Sequence, residues 1–72
     1  MIDKNNAEIN VGDEVIIDHD YLINGNGCIT KHLTKNKRYK IDHFYGGNVI
    51  INDDTGNPVN GWGLNRDRFI KV

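Results

Sequence analysis

Residues 38–52 read Arg38-Tyr39-Lys40-Ile41-Asp42-His43-Phe44-Tyr45-Gly46-Gly47-Asn48-Val49-Ile50-Ile51-Asn52, and this stretch decides the fold. From 38 to 44 polar and apolar residues alternate, the period of a half-buried strand, because successive side chains of a strand point to opposite faces. The expected inner face carries Tyr39 and Ile41, with His43 next in phase. Gly46-Gly47 then supplies the backbone freedom of a tight hairpin, and the β-branched run Asn48–Asn52 is the returning strand.

Working outward, Asp53-Asp54-Thr55-Gly56-Asn57 is rich in turn formers and closes a second hairpin. Val59–Leu64 follows as a strand, with the chain's single Pro, Pro58, at its start, where a missing N–H does least harm. Trp62 lies between glycines in this strand. Asn65-Arg66-Asp67 suits one helical turn, and Phe69–Val72 a last short strand. Upstream, Val11-Gly12-Asp13 signals a turn before Glu14-Val15-Ile16-Ile17-Asp18, a strand with Val15 and Ile17 facing inward. Between His19 and Lys37 the pattern breaks up around Asn24-Gly25-Asn26-Gly27, which predicts a long loop. Cys28-Ile29-Thr30 is a candidate returning piece, with Leu33 tucked onto the core. Residues 1–10 hold only Ile2 and Ile9 as isolated apolar positions, so a flexible arm is expected there and the domain is placed at 11–72.

Five short strands at near-regular spacing, with no sustained helical period, predict an all-β domain: a small, partly open five-stranded SH3-like barrel with a long first loop and a one-turn helix before the last strand. An OB-like barrel is disfavoured by length, and an open meander is the other alternative. The 72 residues give room for one core. With 9 Lys+Arg against 10 Asp+Glu there is no net field to draw in nucleic acid or anionic lipid. Runs such as Val15-Ile16-Ile17 fall far short of the roughly 20 apolar residues of a membrane-spanning helix. The start lacks a basic segment followed by an apolar one, and the single Cys28 cannot form an internal disulfide, so a cytoplasmic location is expected.

Leu33-Thr34-Lys35-Asn36-Lys37-Arg38-Tyr39, then Asp53-Asp54-Thr55-Gly56, Gly61-Trp62 and Arg68-Phe69, together resemble a pattern of small SH3-like proteins of bacteriophages and prophages. Those read Leu-Thr-x-Gly-Lys-x-Tyr, Asp-Asp-x-Gly, Gly-Trp and Arg-Phe, and the resemblance spans residues 11–72. Asn36 replaces the usual Gly and, like it, tolerates a left-handed backbone. The resemblance implies an SH3-like architecture. It implies no specific activity, because the matched residues are turns and core aromatics. The likeness to eukaryotic signalling SH3 domains is poorer: Asp20-Tyr21 is in place, but Asn48-Val49 lacks the groove tryptophan and Leu64-Asn65 the groove proline. Polyproline binding, which needs an aromatic-lined groove, is therefore not expected.

Asp54-Thr55-Gly56 matches the active-site tripeptide of aspartic proteases, but polar Asn52-Asp53 precede it, so an exposed turn with an ordinary carboxylate is expected. His19, His32 and His43 have no ligand spacing, Asp18-His19-Asp20 reads as a solvated acidic loop edge, and Cys28 has no orienting partners. No enzyme, metal or cofactor is expected. Tyr39, Trp62 and Phe69 are assigned to the core, whereas Tyr21, Phe44 and Tyr45 at strand ends and loops suit a protein-binding patch. The expected function is a non-enzymatic module, phage- or prophage-derived, that binds and modulates a host bacterial protein through Asp18, Asp20, Tyr21, Tyr45 and the 24–27 loop. The alternative is a nucleic-acid-binding barrel using Lys31, Lys35, Lys37, Arg38 and Lys40. Open sheet edges would also permit a homodimer.

Overall fold

A computed structural model of the chain describes residues 1–24, 31–59 and 63–72. Among these residues five strands form one antiparallel sheet: β1 (Glu14–Ile17), β2 (Tyr39–Tyr45), β3 (Asn48–Ile51), β4 (Leu64–Asn65) and β5 (Phe69–Lys71). Their order is β4-β3-β2-β1-β5, so the last strand returns beside the first, and among the described residues β4 and β5 form the two edges of a sheet that is not closed. Register follows the expected alternation. Val15 stands opposite Tyr39 and Lys71, Ile41 opposite Ile51, and Val49 opposite Leu64. Val15, Ile17, Tyr39, Ile41, Val49, Ile51, Val59, Leu64 and Phe69 form one buried cluster, which is the inward face of every strand.

The period fails at one point. Between Ile41 and His43 the β2–β3 register shifts by one residue, so that His43 pairs with Ile50 and Phe44 with Val49. An extra residue in one strand reverses the phase of all that follow. His43, expected inside, is exposed, and Phe44 packs half-buried against the core. The hairpin beyond is a two-residue turn whose first residue, Gly46, is left-handed at φ 58°.

Two further expectations change. Where a long loop is expected, His19–Asn24 forms a short helix, α1, opened by the Leu22 N–H donating to the Asp18 carbonyl. At 6 residues it is too short to show a period, and its stability comes from packing of Tyr21 and Leu22 on the core. Residues 1–10, expected as a flexible arm, lie against the sheet: Ile9 is fully buried, Ile2 bridges Glu8, and the Lys4 N–H donates to the Phe69 carbonyl. Asp3 explains how so few apolar residues suffice. Its buried carboxylate accepts the backbone N–H groups of Asn5, Ala7 and, from β5, Lys71. Burial alone would raise its pKa, but these donors outweigh it and hold the carboxyl below its ordinary value.

Of the strand expected over Val59–Leu64, residues 60–62 lie outside the described residues; Leu64 begins β4, and before it Asn52 bridges Pro58 and the Val59 N–H donates to Ile51. Cys28-Ile29-Thr30 and Trp62 lie outside the described residues. Gly63 fixes the approach to β4. At φ 77° a Cβ there would clash with Ile50 Cδ1 and meet the Val49 carbonyl oxygen at 2.8 Å. The expected helical turn is a 3-10 helix over Arg66–Arg68, capped by the Asn65 side chain, which accepts from the Asp67 N–H.

Candidate functional site

The motifs at 33–39 and 53–56 meet as one polar cluster. Asp54 Oδ1 accepts from Lys37 Nζ at 2.6 Å and from the Tyr39 hydroxyl at 2.9 Å, and Oδ2 accepts from Thr34 Oγ1 at 2.6 Å. The Asp54 N–H donates to the His32 carbonyl, and the Tyr39 oxygen accepts from the Thr34 N–H. Asn36 sits between Thr34 and Lys37 at φ 61°, the left-handed conformation expected where Gly usually stands. The carboxylate expected to be ordinary is therefore not: Lys37 first, then Thr34 and Tyr39, pull its pKa down to about 2. Lys37 is correspondingly raised by its bond to Asp54. The adjacent Asp53 accepts from the Thr55 hydroxyl and from the Thr55 and Asn57 N–H groups, which fold the turn and lower its pKa.

The first expected binding face is not gathered into one place. Asp18, half-buried at the end of β1, pairs with Lys4 at 2.9 Å. Tyr21 is half-buried with the Arg68 guanidinium 4.6 Å from its ring centre, and Asp20 is exposed on α1. Tyr45 is exposed, but at the far end of β2. Val15 stands opposite Tyr39, so β1 runs out beyond the start of β2, and up to about 20 Å of strand separates that end from Tyr45. Residues 25–27 of the expected face lie outside the described residues. Of the basic segment, Lys31, Lys35, Lys37, Arg38 and Lys40 are all exposed. Lys37 is nonetheless tied to Asp54, and Lys40 stands across the ladder from Glu14. Among the described residues no group of three or more His, Cys, Asp or Glu is placed to hold a metal ion.

At the far end of β2, the hairpin, the amino-terminal segment and the 3-10 helix enclose an open groove of about 620 Å³, lined by Met1, Ile2, Phe44, Gly46, Gly47 and Arg66. The bulge in β2 brings Phe44 to this side, packing of residues 1–10 brings Met1 and Ile2, and the capped 3-10 turn presents Arg66. Arg66 Nη1 donates to the Asp3 carbonyl at 3.4 Å and lies 3.4 Å from Asp67 Oδ1. Gly46 and Gly47 carry no side chain over the groove, and a Cβ at either would meet nothing within 4 Å.

Of these lining residues, sequence reading singles out Phe44 as a binding aromatic and places Arg66 in a helical turn, but it does not join them. The signal available was an aromatic pair directly followed by two glycines. Met1 and Ile2 carry no such signal, because their place depends on Asp3 and Ile9. Comparisons with models of known families, with curated proteins and with solved structures find no match for this chain.

Proposed function

We propose that this chain is a non-enzymatic protein-interaction module with an SH3-like barrel, a phage or prophage accessory protein that docks on a host bacterial protein and modulates it in the cytoplasm. The open groove beside the β2–β3 hairpin carries this reading: it pairs apolar walls with a bare backbone and a cation, the surface by which small β domains hold a partner's chain. The strand order, with a 3-10 turn leading directly into a last strand beside the first, supports the SH3-like architecture. No helix among the described residues is long and apolar enough to cross a membrane. Against a protease stands Asp54: a carboxylate pulled down to about 2 by a lysine and two hydroxyls does not keep the shared proton that such chemistry needs. Our reading puts the docking face at the hairpin that follows Tyr45, in place of Asp18, Asp20 and Tyr21, because the groove lies there.

Gly47 makes the test clean. It is not left-handed, and a Cβ added there meets nothing within 4 Å, so Gly47→Trp starts from open space and its ring is large enough to occupy the groove that Gly47 lines. Peptides selected from a random displayed library on the native protein are expected to lose binding to Gly47→Trp while its melting temperature stays unchanged. Ligands that bind both proteins alike would show that the groove is not the site. A single-stranded DNA oligonucleotide that binds at low salt, and is lost in a Lys35/Lys37/Arg38 triple substitution, would establish the nucleic-acid alternative instead.

A further inference from the structure

We infer that the groove receives a short peptide segment of its partner that carries an apolar side chain next to a carboxylate, with Arg66 as the carboxylate's recognition residue. This rests on the protein-interaction reading above and deepens it.

Charge is the first argument. Among the described residues lining the groove, Arg66 brings the one charged side chain, the Met1 ammonium being paired with Glu8 Oε1 at 3.2 Å, and no carboxylate side chain shares the lining. The Arg66 side chain is 41 % exposed, and its contacts with Asp3 and Asp67 are both at 3.4 Å, too long to be strong. A guanidinium offers five N–H donors in a planar fork, and a carboxylate is the group that fills such a fork in two places at once. The remaining lining sets the neighbouring residue. Met1, Ile2 and Phe44 are half-buried and form a wall that an apolar side chain covers, removing their remaining surface from water.

Shape is the second argument. The groove is open to solvent along its length, unlike the enclosing cleft of a typical small-ligand site. A peptide needs no such enclosure, because it is held along its length. With nothing projecting from Gly46 and Gly47, a partner backbone can lie directly against the hairpin tip.

The test uses three immobilised pools of eight-residue peptides, identical and apolar-rich except at one central position, which is Glu, Gln or Lys. They are probed with the full native chain, Arg66→Glu, Arg66→Gln and Gly47→Trp, each checked for an unchanged circular dichroism spectrum. The native protein is expected to hold the Glu pool about five- to tenfold more strongly than the Gln pool. Arg66→Gln removes that preference and Arg66→Glu transfers it to the Lys pool, whereas Gly47→Trp holds none of the three. If Arg66→Glu does not fold, Arg66→Gln alone decides: a retained preference for Glu overturns the inference. Equal retention of Glu and Gln pools that Gly47→Trp still abolishes overturns the role of Arg66 and leaves the interaction module standing. Absence of any binding that depends on Gly47 overturns both.

Discussion

Lys37 Nζ lies 2.6 Å from Asp54 Oδ1, across 17 residues of sequence, and this contact turns two separate sequence motifs into a single structural unit. The Leu-Thr-x-x-Lys-x-Tyr stretch supplies three donors, from Thr34, Lys37 and Tyr39, and the turn at 53–56 supplies the carboxylate that accepts all of them. The Tyr39 ring is buried in the core while its hydroxyl reaches this cluster, so the same residue fastens the turn to the sheet. Burial, together with donation to Asp54, raises the Tyr39 phenol, which stays protonated as the donor the cluster requires.

The cluster predicts an acid limb. A carboxyl with its folded pKa at about 2 and an ordinary value of 3.8 contributes stability that is complete above about pH 4 and is lost as pH falls toward 2. Asp54→Asn should flatten that part of the pH–stability curve, measured by urea unfolding at pH 2.5 to 6. Asp3 and Asp53, also lowered, keep a residual slope of the same sign. An acid limb unchanged in Asp54→Asn would mean that the three-donor cluster does not persist in solution.

Asp3 is the fastening point of the amino-terminal segment. Asp3→Ala leaves the N–H groups of Asn5, Ala7 and Lys71 without their acceptor. A loss of about 3 kcal/mol is expected from denaturant unfolding, with a smaller loss for Asp3→Asn, which retains one carbonyl oxygen. A change below about 0.5 kcal/mol, the size of an ordinary surface substitution, would return residues 1–10 to the status of an arm.

Ile9 gives the apolar counterpart of that test. It is fully buried in the main cluster, so Ile9→Ala should cost about 3 kcal/mol, as removal of a core aliphatic side chain does. Val11, two residues on and exposed, serves as the control, with Val11→Ala expected to be near neutral.

Strands were legible in the sequence wherever the period of two was uninterrupted: Val15 and Ile17, Tyr39 and Ile41, Val49 and Ile51 all face the core as their spacing requires. Asn36 was legible too, since few residues besides Gly adopt its backbone without strain. The bulge at Asp42-His43 was not, because an extra residue carries no composition of its own and shows only when the partner strand is laid alongside. The same reason hides the groove, whose walls come from residues 1–2, 44, 46–47 and 66 and meet only in three dimensions. Helix α1 escaped notice because less than two turns cannot display a helical repeat.

Gly63 tests the geometry between β3 and β4. An alanine there combines a left-handed backbone with a Cβ driven against Ile50 and the Val49 carbonyl, and about 3 kcal/mol of destabilisation is expected from thermal or urea unfolding. Gly47→Ala, with open space around its Cβ, should be close to neutral in the same assay. Equal effects at the two glycines would contradict the described approach of the chain to β4.

The docking groove is tested most directly by amide chemical-shift mapping of the 15N-labelled protein as a peptide obtained by library selection is added. The largest shifts are expected at Phe44, Gly46, Gly47 and Arg66, with Ile2 following and Lys31 to Lys40 little changed. Shifts centred on Lys31, Lys35 and Arg38, or on Asp20 and Tyr21, would contradict the groove as the site at which this protein meets its partner.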